Sequence, residues 1–122
     1  MKSYRDLEIY QSAYQLAIKV HKMTLTLPRY EMYEQGNQVR RSTKSIKDNI
    51  VEGYGRKRYK QDFIRFLVYA HSSCEATSQL TMIDEIHFES KGLTELISEY
   101  EILGRKINKF IDYMEKHWNE NQ

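Results

Sequence analysis

One proline, one cysteine and five glycines stand in 122 residues. So few proline and glycine residues exclude a fold of many short strands and tight turns, and point to long helices. The single cysteine, Cys74, cannot close a disulfide within the chain, which suits a reducing compartment. Long apolar runs are missing too. The most apolar stretch, FIRFLVYA, is broken by Arg65, so no membrane span is expected. The opening MKSYRDLEIY lacks the apolar core of a signal peptide. These absences predict a cytoplasmic protein. One domain, residues 1–122, is expected, and a globule of this size buries about two thirds of its unfolded surface, enough for a core without staples.

What is plentiful is tyrosine and charge. Ten tyrosines are present, each able to bury a ring while its hydroxyl stays wet, as a half-buried face or a subunit contact requires. The net charge is only +2, but it is unevenly placed. Between Arg40 and Arg65 nine Lys/Arg face three acids, a local +6, and the rest of the chain carries −4. Such asymmetry makes a local field whatever the total.

The apolar periodicity predicts an all-α fold of four helices. The first begins after Ser3 or Asp6, a pair that resembles a capping box. Its seam is Ile9, Ala13, Leu16, Val20, Met23 and Leu27, spaced 4-3-4-3-4, and Pro28 is expected to end it. A second stripe, Leu7, Tyr10, Tyr14, Ala17 and His21, lies beside the seam. Two stripes are too wide for one partner helix, which predicts self-association. The second helix is expected over residues 31–52, with Met32, Gly36, Val39, Thr43, Ile46 and Ile50 inward and Gly53 and Gly55 as a left-handed stop. The third runs from about residue 60 to 88, through the small-residue run AHSSCEATS, with Phe63, Leu67, Ala70, Cys74 and Thr77 on one stripe and Phe66, Ser73, Leu80 and Ile83 beside it. The fourth carries Leu93, Leu96, Tyr100, Leu103, Ile107, Phe110 and Met114, then Trp118. Four seams on short connections give an antiparallel up-down-up-down four-helix bundle. The final Asn119-Glu120-Asn121-Gln122 is expected to fray.

The basic stretch raises the functional question. On a helical wheel Arg40, Lys44 and Lys47 share one line, to one side of the apolar face. Arg41 aligns with Asp48 and Glu52, so part of this charge is expected to be neutralised locally, whereas Arg40 and Lys47 have no acid in an adjoining helical position. Arg56, Lys57, Arg58 and Lys60 then add four charges at a helix junction. Phosphate neutralisation needs several cations on one surface, and the interleaved Tyr54 and Tyr59 offer rings on which unpaired bases could stack. The bland reading is the solvated skin of a bundle.

Other chemistry finds little support. His71, Cys74 and Glu75 fall within one turn, but no second cysteine or HExxH arrangement joins them, and Cys74 lies on the core stripe where a thiol is usually inert. His87 lies further along the same helix. GYGRKR follows no strand and lacks phosphate-loop spacing. No catalytic site, metal, cofactor or small-molecule substrate is predicted.

Arg40-Arg41, Ser45-Ile46, Asn49-Ile50, Glu52-Gly53, Gly55-Arg56 and Phe63-Ile64-Arg65-Phe66-Leu67 resemble the signature of the four-helix-bundle proteins encoded within intervening sequences of bacterial 23S ribosomal RNA genes. Asp6-Leu7-Glu8-Ile9-Tyr10-Gln11 and Ala13 fit the family's opening, where tryptophan is common at the position of Tyr10. The resemblance spans nearly the whole chain. It implies a small helical protein that forms ring-like homopentamers. A related branch serves diversity-generating retroelements, where a basic pentamer binds nucleic acid and a reverse transcriptase. Lys47 and Asp48 depart from the pattern, which often has proline and then a small residue there. Asn49 and Glu52 read better as parts of an internal polar network with Arg41 and Arg56 than as ligand contacts.

Two functions stay open. One is a non-enzymatic, homo-oligomeric bundle that binds RNA through Arg40, Arg41, Lys44, Lys47, Arg56, Lys57, Arg58 and Lys60. The other is a protein-interaction scaffold whose working surface is the tyrosine stripe of the first helix.

Overall fold

The computed structural model describes residues 3–118. Within them the chain forms four rods and no strand. The first rod is a 3-10 turn (Tyr4–Asp6) followed by α1 (Glu8–Thr24); the second is α2 (Arg29–Tyr33) with α3 (Gln35–Gly55). The third joins α4 (Lys60–Ser72) to α5 (Ala76–His87) through a 3-10 turn (Ser73–Glu75), and the fourth is α6 (Thr94–His117). Each rod packs on the next and the fourth returns to the first, which is the expected up-down-up-down bundle. Two ion pairs, Lys106 to Glu8 and Lys19 to Glu99, tie α6 to α1 in opposite directions. Asn119–Gln122 lie outside the described residues.

The predicted seams form the core. Ala13, Val20, Val39, Ile46, Ile50, Leu67, Ala70, Leu80, Ile83, Tyr100 and Ile107 are fully enclosed. This apolar burial is the main driving force for a bundle whose helices carry few side-chain caps.

The helix ends differ from expectation. The Ser3–Asp6 capping box exists, but it closes the 3-10 turn; α1 itself starts at Glu8, and its N-cap, Leu7, offers no side-chain cap. Pro28 does not end the first helix. The helix stops at Thr24, and Pro28 opens α2, where a missing N–H costs nothing. No described glycine has a positive φ, so Gly53 and Gly55 are not left-handed stops. Gly53 is inside α3, where an added Cβ would lie 3.0 Å from Phe66 Cβ and 3.2 Å from the Phe63 carbonyl. Its role is to let the end of α3 cross closely over α4.

The third rod is broken where the sequence predicted one helix. Ser73 Oγ turns back to the Tyr69 carbonyl and meets Ser45 Oγ at 3.0 Å on α3, and such back-bonding bends helices. A 3-10 turn advances 120° per residue against 100°, so three residues gain about 60° of phase. Ala76 therefore reaches the core, and Thr77 is only half-buried.

The bundle has two ends. The α3–α4 turn, the start of the first rod and the last turn of α6 share the junction end, where Lys60 Nζ donates to the Glu115 carbonyl at 3.1 Å. The opposite end holds α2, the end of α5 and the α5–α6 turn. There Asp84, buried, accepts from the Gly92 and Leu93 amides at 3.0 Å each. These bonds hold a turn in which Glu89 and Ser90, not glycines, adopt φ of 56° and 64°.

Candidate nucleic-acid interface

The structure does not gather the eight predicted cations onto one surface. It sorts them by what each charge meets.

Arg40 is an internal tie. Glu34, between α2 and α3, has φ −92° and ψ −92°, so the second rod breaks one residue after Tyr33. A break leaves carbonyls without helical partners. Arg40 reaches back, giving Nη2 to the Met32 carbonyl at 3.1 Å and Nη1 to Thr24 Oγ1 at 2.7 Å. Gly36 makes room for this arm: a Cβ there would meet Arg40 Nη1 at 3.1 Å. The wheel places Arg40 beside the apolar face and cannot show the broken rod behind it.

Lys47 is half-buried and, contrary to expectation, pairs with Asp48, the adjacent residue. Successive helical positions do not face each other, so the flexible lysine stem must wrap round the helix to make this contact. Arg41 and Lys44 are exposed and, among the described residues, have no carboxylate partner. They share a shallow depression on α3 with Ser45, Asp48, Asn49 and Glu52. Asp48 and Glu52 lie between them and the junction, and Lys44 and Gly55 are about 16 Å apart along the axis. The α3 face and the junction are therefore separate patches. Of the expected polar network, Asn49 bonds Ser45 (carbonyl at 2.9 Å, hydroxyl at 3.0 Å) and Arg56 pairs with Glu52 at 3.0 Å. Arg41 takes no part in these bonds.

The junction is built on aromatic rings. Phe63 stands edge-on to Tyr54, Phe110 and Trp118, locking rods two, three and four together. Arg56 lies 4.9 Å above the Phe66 ring, and Lys57 lies 4.2 Å above Tyr54 while donating to its hydroxyl at 2.9 Å. Lys57, Arg58 and Lys60 have no carboxylate partner among the described residues. A ring face or a carbonyl orients a cation without cancelling its charge, so this turn keeps a positive potential. Arg5, stacked at 4.7 Å over Tyr4, and Lys109, in a depression on α6 shared with Asp6 and Glu8, lie toward the same end on rods one and four. Nothing in the local sequence marks them as part of this end; only the antiparallel packing brings them there.

The side chains considered for catalysis are placed differently. Burial pushes the Cys74 thiol up to about 11, and its Sγ turns to the Ala70 carbonyl, so little reactive thiolate exists at neutral pH. His71 is exposed. His87, at the end of α5, meets Glu31 of α2 at 2.7 Å; Glu31 is buried and the His87 ring is largely covered. This contact and the Gln35 hydrogen bonds hold the Glu31 carboxyl below its ordinary value, against the opposing effect of burial. No group of three or more His, Cys, Asp or Glu among the described residues has the arrangement of a metal site. No helix among them is long and apolar enough to cross a membrane.

Comparison with known proteins gives one assignment. Residues 5–109 match the family described as 23S rRNA-intervening sequence protein. No curated protein matches the chain. The match covers most of the chain, and the protein belongs to this family.

Proposed function

We propose that this member of the 23S rRNA-intervening sequence protein family is a non-enzymatic RNA-binding bundle that engages RNA through its junction end. The reading rests on one observation: Lys57 and Arg58 in one short turn and Lys60 at the start of α4 stand close in sequence, and no described carboxylate neutralises them. Cations so placed release counterions from a phosphate backbone. The tie of the family to 23S rRNA favours RNA over other polyanions. Arg56, Arg41 and Lys44 contribute from the edges, while Arg40 ties elements of the fold together and Lys47 is paired with Asp48. The test is RNA affinity over a salt series. Each of Lys57→Glu and Arg58→Glu is expected to lower the log–log salt slope by about one. A wild-type protein whose RNA binding ignores salt overturns the reading.

A second reading, a homo-oligomeric scaffold, is favoured by apolar side chains left outside the bundle. Tyr14, Ile18 and Leu25 are exposed on or just beyond α1, and Val68, Met82 and Ile86 on the third rod. Of the expected tyrosine stripe, Leu7 and Ala17 are buried, Tyr10 is half-buried, and Tyr14 and His21 are exposed. Rods one and three are diagonal, so a contact joining one to the other between copies is head-to-tail and closes as a ring or runs on. The homopentamer of the resemblance is one such closure, and a ring would multiply the junction patch. Light scattering tests this: Ile18→Glu with Met82→Glu is expected to yield monomers. Partners that stay bound after nuclease treatment would favour the scaffold over RNA binding.

A further inference from the structure

The tyrosines flanking the basic turn have opposite fates. Tyr54 is spent: its edge packs on Phe63, its face carries the Lys57 ammonium, and its hydroxyl accepts from the same lysine. Tyr59 is 61% exposed, and among the described residues its ring has no aromatic or cationic partner. Its backbone is nevertheless fixed. The Tyr59 amide donates to the Arg56 carbonyl at 3.0 Å, and its carbonyl accepts from the Phe63 amide at 3.0 Å. The preceding turn is bonded as well, Arg56 to the Gly53 carbonyl and Lys57 to that of Tyr54.

A ring held out on a hydrogen-bonded turn is surface available to a partner. Exposure by itself does not identify what. Tyr30 and Tyr33 on α2 are equally exposed, at 67% and 61%. Their surroundings differ in charge. Arg29 and Glu34 carry opposite signs beside Tyr30 and Tyr33, whereas beside Tyr59 stand Lys57, Arg58 and Lys60, none with a described carboxylate partner. An exposed ring set among cations is complementary to one chemical unit: a flat π-face attached to phosphates.

We infer that Tyr59 is a stacking platform for an unpaired nucleobase, with Arg58 and Lys57 on the flanking phosphates. The inference rests on the RNA-binding reading and deepens it to a substrate class, single-stranded or bulged nucleotides rather than continuous duplex. In duplex both faces of each base are already stacked, so the ring has nothing to meet. A tyrosine has only two side-chain torsions to fix, and here the backbone is already set, so stacking orders little that is free beforehand.

The experiment uses the full chain and two probes, a mixed-sequence 12-nucleotide RNA strand and the same strand annealed to its complement, read by fluorescence anisotropy. Tyr59→Ala is expected to weaken single-strand binding on the order of tenfold. Duplex affinity should change less than about twofold, and the salt slope should hold, since no cation is lost. Tyr59→Trp should restore single-strand binding; Tyr30→Ala should have no effect. Salt-dependent RNA binding that ignores Tyr59→Ala, or that falls equally for both probes, overturns this inference and leaves the RNA-binding reading standing. A wild-type protein that binds neither probe overturns both.

Discussion

The two ends of the bundle use the same residue types for opposite purposes. At the far end polar groups point inward: Glu31 meets His87, Arg40 spans Thr24 and Met32, and Asp84 holds the α5–α6 turn. At the junction end they point outward, with Lys57 over a ring and Arg58 in solvent. The difference follows from the backbone. The far end contains the broken second rod and a turn with two positive-φ residues, so it has amides and carbonyls that need partners. The turn from α3 to α4 satisfies much of its own backbone, through Arg56, Lys57 and Tyr59. Of its side chains, Arg58 and Tyr59 are left exposed with no partner among the described residues.

The contrast can be broken first at the buried pair. Removing the hydrogen-bond partner of a buried carboxylate leaves that carboxylate unsatisfied. His87→Ala is therefore expected to cost about 3 kcal/mol in urea unfolding at neutral pH. The pH dependence has a definite sign. The folded Glu31 carboxyl lies below its ordinary value of 4.5, so its stabilisation is present above that value and is lost as pH falls through the folded one. Glu31→Gln should accordingly flatten the stability curve below about pH 4.5 relative to wild type; equal slopes would remove Glu31 from the acid response.

Arg40 and Arg58 sharpen the comparison. Arg40→Met is expected to lose about 2 kcal/mol, because it leaves the Met32 carbonyl and the Thr24 hydroxyl short of a donor. Arg58→Ala should fall within about 0.5 kcal/mol of wild type, as exposed surface changes do. RNA affinity should show the reverse order, with Arg58→Ala the more damaging once both proteins are folded. Similar stability losses at the two arginines would erase the distinction between the ends. A smaller probe is Gly53→Ala, expected to cost about 1 kcal/mol by pressing a methyl group on Phe66 and the Phe63 carbonyl. Thermal or urea unfolding measures it, and a neutral result would mean the α3–α4 crossing is looser than its distances.

Most of the core was readable beforehand because a helix repeats its inward face locally. Ile9 to Leu27, Val39 to Ile50 and Leu93 to Met114 needed only spacing. The candidate site was legible in part. Lys57, Arg58 and Lys60 were found as a charge cluster at a helix junction, although the glycines read as its stop lie within α3. The contacts of Arg40 were not foreseen because its partners are 16 and 8 residues away, on a helix and a break that no wheel displays. Arg5 and Lys109 were missed because they share an end with the turn only through antiparallel packing. The exchange of Thr77 for Ala76 was missed because a 3-10 turn changes phase without changing composition.

By itself the sequence determined four amphipathic helices, their order and an uneven charge, since apolar periodicity and ionisable side chains are properties of short windows. Only the tertiary structure decided which cations are bound within the fold, which tyrosine ring stands free, and where the rods break. Those outcomes depend on which carbonyls, carboxylates and rings arrive from distant segments, and hydrogen bonds and ring contacts act only over a few ångströms.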